Sequence, residues 1–137
     1  QVLFDESFAE IFFDAPRNML GIRWKRQISS SEFRLVMARS QEFMKGYNAL
    51  HWYIDTRNRG TLPTDDQDWL FNDLLPGIFK LGLKRLVIIH AEDVDSLSYN
   101  FYRNRLDVFS NQDVEVYFAQ SPDEALSWYQ ERKVVNH

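Results

Sequence analysis

The stretch Arg85-Leu86-Val87-Ile88-Ile89-His90 decides the fold class of this chain. Four consecutive apolar residues between polar ends are typical of a strand that is covered on both faces, as in a parallel sheet. On either side of it, strand-like segments alternate with helix-like segments. This alternation predicts an α/β protein whose sheet is mostly parallel and whose crossovers are right-handed.

Two strands come before the first helix. Residues 7–13 and 19–26 flank Asp14-Ala15-Pro16-Arg17-Asn18, which has the residue types of a turn. In the second segment, Leu20, Ile22 and Trp24 alternate with less apolar residues, and this period of two predicts one buried face. Two strands around a short turn predict an antiparallel hairpin at the N-terminal side of the sheet.

The first helix has clear start and stop signals. Ser29 and Glu32 have capping-box spacing, in which each side chain bonds the backbone amide of the other residue. Apolar residues then recur at spacings of three and four up to about Lys45. Gly46 is the predicted stop.

Three further strands and three further helices follow in alternation. Strands are predicted at His51–Thr56, at 85–90 and at 114–118. A helix that Thr64 caps and Pro76 kinks follows the first of them, a helix over 95–106 follows the second, and one that begins at Ser121-Pro122 closes the chain. The predicted order is ββαβαβαβα, a mixed sheet with four helices in a single domain over residues 1–137.

Composition excludes several classes of protein. The 137 residues are 45% hydrophobic and 15% aromatic, which excludes a disordered chain, and the net charge of −4 argues against nucleic acid as a partner. The absence of cysteine excludes disulfides, thiolate zinc sites and a cysteine nucleophile. No apolar run approaches the roughly 18–20 residues of a membrane span. We therefore expect a cytoplasmic domain with no membrane span.

Six short segments occur along the chain in an order that points to a known family. They are Ile22-Arg23-Trp24-Lys25, Ser31-Glu32-Phe33, Trp52-Tyr53-Ile54-Asp55-Thr56-Arg57, Trp69-Leu70 with Pro76, Gly82-Leu83-Lys84-Arg85-Leu86-Val87-Ile88 and Asp123-Glu124-Ala125-Leu126-Ser127-Trp128. With this ordered set, the chain resembles the STAS family of small bacterial anti-sigma-factor antagonists. It is most similar to the branch that is grouped with Sec14-like sequences.

The resemblance implies a STAS-like sheet of four strand–helix turns and a non-enzymatic, regulatory role. Members of the family mostly act as binding modules, and some are switched by phosphorylation of a serine where the second helix begins. In this chain the corresponding region is Leu62-Pro63-Thr64-Asp65-Asp66-Gln67, which lacks the paired serines and the glycine of the family. Thr64 is the only hydroxyl there, so a phosphorylation switch would have to use it.

The first candidate site lies where two predicted parallel strands end. Open α/β sheets bind ligands at the carboxyl ends of their strands, where we place Asp55, Thr56, Arg57 and His90. A His–Asp pair can polarise the Thr56 hydroxyl for an esterase-like reaction. In the alternative interpretation, which we favour, Asp55 caps local backbone donors and pairs with Arg57, and His90 is an ordinary strand-end residue.

The second candidate site is the polar loop that follows. Arg57 and Arg59 flank Asn58, and two guanidinium groups can bind a carboxylate or a phosphate. The alternative is that these arginines are solvated and pair with neighbouring aspartates. The aspartates that open helices are explained by capping and by the helix dipole, so we predict no metal and no cofactor.

The third candidate site is the predicted helix over 95–106. Tyr99, Tyr102 and Arg103 point outward if the apolar residues of this helix pack on the sheet. Tyrosine and arginine are enriched at protein interfaces, so these residues suit a partner or a second copy of the chain. The alternative is an ordinary surface.

Our functional hypothesis is a binding module that docks a protein partner. Docking would use the edge from Asp55 to Asp66 together with the helix around Tyr99–Arg105, and it includes self-association as a homodimer. The alternative is a carrier of a small apolar, lipid-like or anionic ligand that uses the arginine loop.

Overall fold

The computed structural model describes residues 1–90, 104–106 and 114–135, and in it six strands form one mixed sheet. The strands are β1 (Val2–Asp5), β2 (Ala9–Asp14), β3 (Met19–Trp24), β4 (His51–Asp55), β5 (Arg85–Ile89) and β6 (Glu115–Ala119). They lie side by side in chain order; β1, β2 and β3 are antiparallel, and β3 to β6 are parallel. The predicted α/β class, the hairpin and the parallel remainder are confirmed.

The helices flank this sheet. They are α1 (Ser30–Tyr47), α2 (Thr64–Trp69), α3 (Leu75–Phe79) and α4 (Pro122–Val135), with a π-helical turn at Leu70–Leu74 and a 3-10 turn at Ala15–Arg17. Residues 104–106 are helical, and the rest of the helix predicted over 95–106 lies outside the described residues.

Strand β1 is absent from the predicted order, which therefore has one strand too few. It pairs with β2 through a register that shifts between Val2 and Phe4. Leu3 and Phe4 are only half-buried because β1 lies at the edge of the described sheet. A four-residue edge strand with an irregular register carries too little periodicity to be predicted from sequence.

The start of α1 was predicted correctly and its end was not. The Ser29 hydroxyl accepts a hydrogen bond from the Glu32 amide at 3.2 Å, and the Glu32 carboxylate accepts one from the Ser29 amide at 3.0 Å. The helix passes Gly46 and ends at Tyr47. Asn48 then adopts the left-handed conformation, with φ 52°, and donates its amide to the last carbonyls. Asparagine is the residue besides glycine that tolerates this conformation best.

The second helical region also departs from its predicted boundaries. Pro63 occupies the N-cap position, and Thr64 is the first helical residue and makes no capping hydrogen bond. Pro76 lies in the first turn of α3, directly after the π-helical turn. Because proline has no amide hydrogen, a change of helical pitch at this point leaves fewer backbone donors without acceptors.

Both faces of the sheet are covered, as the apolar run in β5 predicts. Leu86 and Ile88 belong to a large core with α1, α2 and α3, whereas Val87 and Ile89 belong to a second core under α4. All four side chains are buried. The polar ends of the parallel strands are therefore left at two opposite edges, and these edges hold the candidate sites.

A buried hydrogen bond helps to hold helix α4 on the sheet. The Tyr129 hydroxyl donates a hydrogen bond to the Trp52 carbonyl at 2.9 Å, which joins α4 to β4. Burial raises the pKa of the Tyr129 hydroxyl, so it remains a donor at all ordinary pH values.

We predict that Gly21→Ala destabilises the fold by about 1–3 kcal/mol, the usual cost of overpacking a core. Gly21 is buried opposite Phe12 on the neighbouring strand, and a methyl group there would overlap the Phe12 ring. That ring packs edge-on against Tyr53, with centroids 5.9 Å apart. Urea unfolding of the single variants and of the double variant with Phe12→Ala measures the coupling. The prediction is contradicted if Gly21→Ala costs as much without the Phe12 ring as with it.

Candidate functional site

The carboxyl ends of β4 and β5 meet at one edge, which we call the carboxyl edge (Asp55, Thr56, Arg57 and His90). The register places Asp55 beside Ile89. The amide and the hydroxyl of Thr56 both donate to the Ile89 carbonyl, at 2.9 and 2.7 Å. The His90 amide extends the ladder by donating to the Ala119 carbonyl of β6 at 3.1 Å. The structure thus brings together the strand-end residues that the sequence placed here.

Asp55 is a buried carboxylate, with 2% of its surface exposed, and it forms an ion pair with Arg57. The Arg57 guanidinium donates to both carboxylate oxygens, from Nε at 2.9 Å and from Nη2 at 2.6 Å, and the Arg57 amide donates at 3.2 Å. Hydrogen bonding to Asp55 raises the pKa of Arg57. This geometry matches the interpretation that we favoured, a local cap and ion pair.

Thr56 is not set up as a nucleophile. Its hydroxyl hydrogen is directed at the Ile89 carbonyl, whereas an activated hydroxyl must donate to a general base. The carboxylate next to it, Asp55, is occupied by Arg57. The hydrogen bonds of Thr56 and Asp55 therefore hold the backbone at this edge.

The arginine loop (residues 57–63) is held in place from several sides. The Arg59 amide donates to the Thr56 carbonyl at 3.2 Å, and the Arg59 guanidinium lies 5.9 Å from the centre of the Phe33 ring. Leu62 is buried, and its carbonyl accepts from the Gln67 side chain at 2.8 Å. Arg57 and Arg59 contact different groups, so the structure does not direct both guanidinium groups at one shared anion. Asn58 is exposed between them.

The acidic start of α2 binds α1. Asp66 is 1% exposed, and its Oδ1 accepts from the Ser30 hydroxyl at 2.6 Å and from Arg34 Nε at 3.0 Å. Asp68 pairs with Arg105 at 3.1 Å. Among the described residues, no group of three or more His, Asp or Glu side chains is arranged to hold a metal ion. Sequence reasoning missed the Asp66–Arg34 pair because its members lie far apart in the chain.

Two further predictions concern Thr64 and the helix over 95–106. Thr64 is exposed at the first position of α2, next to the exposed Asp65. Tyr99, Tyr102 and Arg103 lie outside the described residues.

At the opposite edge, the amino ends of β4 and β5 border a cavity of about 570 Å³, which we call the amino-edge cavity. It is lined by Pro16, Arg17, Asn18, Leu50, His51, Arg85, Tyr129 and Gln130. His51 and Arg85 are the first residues of their strands and stand side by side in the register. Sequence reasoning considered only the carboxyl ends, although parallel pairing of the two strands already places these two residues together.

His51 is oriented by its own contacts in this cavity. A carbonyl can only accept, so Nδ1 of His51 donates to the Arg17 carbonyl, at 2.7 Å. The ring centre lies 5.3 Å from that of Tyr129. Burial lowers the pKa of His51, and the charge of Arg85 lowers it further against the opposing effect of the Arg17 carbonyl.

Comparison with known proteins adds no relative: no family model, no curated protein and no solved structure matches the chain significantly. The STAS resemblance stays an expectation from the sequence. Within the described residues, no helix combines the length and the apolar character needed to cross a membrane.

We predict that Arg57→Leu lowers the free energy of unfolding by about 1–3 kcal/mol, because it leaves the buried Asp55 carboxylate without its main donors. Arg39→Leu is the matched control, since Arg39 is an exposed arginine whose partner Glu42 is 4.0 Å away. The control should change stability by less than about 0.5 kcal/mol. Chemical denaturation measures both, and equal effects would contradict the assigned pair.

We predict that His51 titrates below the ordinary histidine pKa of 6.5. The folded state then disfavours the charged ring, so this contribution to stability is present above pH 6.5. It is lost as the pH falls below 6.5 through the lowered folded-state pKa. NMR titration of the ring gives the pKa directly. In His51→Asn, which keeps a donor for the Arg17 carbonyl, this part of the pH dependence should disappear; a His51 pKa at or above 6.5 would rule the prediction out.

Proposed function

We propose that the chain is a non-enzymatic binding module that docks a protein partner through the arginine loop and the start of α2. One observation carries this proposal: the reactive groups of Asp55 and Thr56 are bonded internally, while the loop beside them is fixed and exposed. A fixed, exposed polar loop on a rigid sheet suits recognition better than chemical transformation.

The rigidity of the loop favours tight docking. Ordering a flexible loop on binding costs free energy, and a loop that is already ordered avoids that cost. Here the order comes from the Thr56–Ile89 hydrogen bonds at one end and from buried Leu62 and the Gln67 bond at the other.

The exposed groups indicate the kind of partner surface. Arg57 is 39% exposed and bears a positive charge that Asp55 partly balances, while Asn58, Thr64 and Asp65 add neutral and negative groups. A complementary partner therefore presents mixed polar groups rather than one large apolar patch. The STAS resemblance of the sequence is in keeping with such a regulatory role.

Arg105 supports joining the two predicted docking segments into one surface. It is the last residue of the range Tyr99–Arg105 that we assigned to partner binding, and its guanidinium pairs with Asp68 of α2. The same group lies 4.4 Å from the centre of the Phe71 ring. The C-terminal end of that range thus lies beside the helix that the arginine loop leads into.

A small-ligand carrier that uses the arginine loop is the less favoured alternative. Asp55 already neutralises Arg57, and Arg59 lies over the Phe33 ring. An incoming anion would have to displace an internal carboxylate, which reduces its net gain.

We predict that the double variant Asn58→Asp with Asp65→Lys loses a partner that the wild-type chain retains. Affinity capture from native lysate compares it with Glu42→Lys, a charge reversal on the far, exposed part of α1. Wild type and Glu42→Lys should recover the same protein, and the loop variant should not. Light scattering detects self-association in the same samples. A strict monomer that recovers nothing, or equal recovery by all three proteins, would refute partner docking.

A further inference from the structure

We propose that the amino-edge cavity binds a small organic carboxylate with an apolar body, and that the Arg85 guanidinium holds its charged group. This site lies at the opposite edge of the sheet from the arginine loop. The inference therefore goes beyond partner docking and does not rest on it.

The charge of Arg85 carries the argument. Only 12% of its side chain is exposed, yet within the described residues its guanidinium makes no hydrogen bond, and its one ion pair is with Glu115 at 3.8 Å. A guanidinium with this little exposure normally binds a carboxylate through two hydrogen bonds at about 2.7–2.9 Å. Arg57 has such a partner in Asp55, and Arg85 has none among the residues that the structure describes.

The other cation of the cavity is already engaged. Arg17 donates to Asp14 at 2.7 Å and is 39% exposed, so its charge is neutralised at the surface. His51 adds no charge near neutral pH because its pKa is lowered. Arg85 is thus the cation in the lining that is left for a ligand, and a single guanidinium matches a monoanion better than a dianionic phosphate, given the net charge of −4 of the chain.

The apolar residues that line the cavity indicate the uncharged part of the ligand. Pro16, Leu50 and the Tyr129 ring contribute apolar surface, and the volume of about 570 Å³ is within the usual range for sites that enclose small molecules. The Tyr129 hydroxyl is bonded to the Trp52 carbonyl, so the ring is fixed before any ligand arrives. A carboxylate attached to a ring-sized apolar group satisfies both the guanidinium and these walls.

Binding of sodium benzoate to the full chain at pH 7.5, measured by calorimetry, tests the proposal. Benzyl alcohol has nearly the same shape without the charge, and inorganic phosphate has the charge without the apolar body. We expect benzoate to bind at least about tenfold more tightly than either probe, since a charge-assisted pair and apolar burial are both required. Absence of benzoate binding to the folded chain, or binding no tighter than that of phosphate, would overturn the proposal.

Three variants locate the site. Arg85→Met keeps the apolar stem and should weaken benzoate binding at least about tenfold. Lys84→Met removes the same charge from the exposed neighbouring residue and should leave the affinity unchanged. Glu115→Gln removes the carboxylate that competes for Arg85, so benzoate should bind about two- to threefold more tightly. Equal weakening by Arg85→Met and Lys84→Met would indicate non-specific attraction and would refute the assignment.

A second measurement keeps the test independent of the folding of Arg85→Met. In the wild-type chain, benzoate should shift the NMR signals of the His51 and Tyr129 rings, which line the cavity. The loop variant Asn58→Asp with Asp65→Lys should bind benzoate as the wild type does, because its changes lie at the other edge. Shifts confined to the arginine loop would place the ligand elsewhere and contradict the proposal.

Discussion

The coverage of β4 and β5 on both faces is the constraint on which the rest of the structure depends. Val87 and Ile89 pack under α4 while Leu86 and Ile88 pack under the other helices, so side chains in the middle of β5 have no access to solvent. Such burial on both sides requires apolar residues and excludes polar ones that lack partners. His51, Asp55 and Arg85 accordingly lie at the ends of β4 and β5.

The two ends solve the problem of buried charge in opposite ways. At the carboxyl edge, the buried carboxylate of Asp55 is paired with the guanidinium of Arg57, two residues further along the chain. At the amino edge, the largely shielded side chain of Arg85 has, within the described part of the chain, only a distant carboxylate, that of Glu115. A charge with a close internal partner supports the backbone, whereas a charge without one is suited to an external ion.

The features that could be predicted from the sequence are those that neighbouring residues encode. The apolar run of β5, the Ser29 capping box and the hairpin are patterns within a few residues, and all are confirmed. Contacts between distant segments are not encoded in this way. The Asp66–Arg34 pair joins two helices. The amino-edge cavity is formed by the 3-10 turn, the first residues of β4 and β5, and α4. The predicted helix boundaries are wrong by one or two residues for a related reason. Several residue types can occupy a cap position, and here Asn48 ends α1 and Pro63 precedes α2.

The irregular register of β1 bears on how copies of this chain behave at high concentration. A strand at the border of a sheet presents unpaired backbone donors and acceptors that can recruit another strand. β1 is only four residues long, and the break between Val2 and Phe4 interrupts its ladder. Bulges and short lengths of this kind make a border a poor template for further strands. Stacking of chains into extended β-assemblies through this border is thereby discouraged.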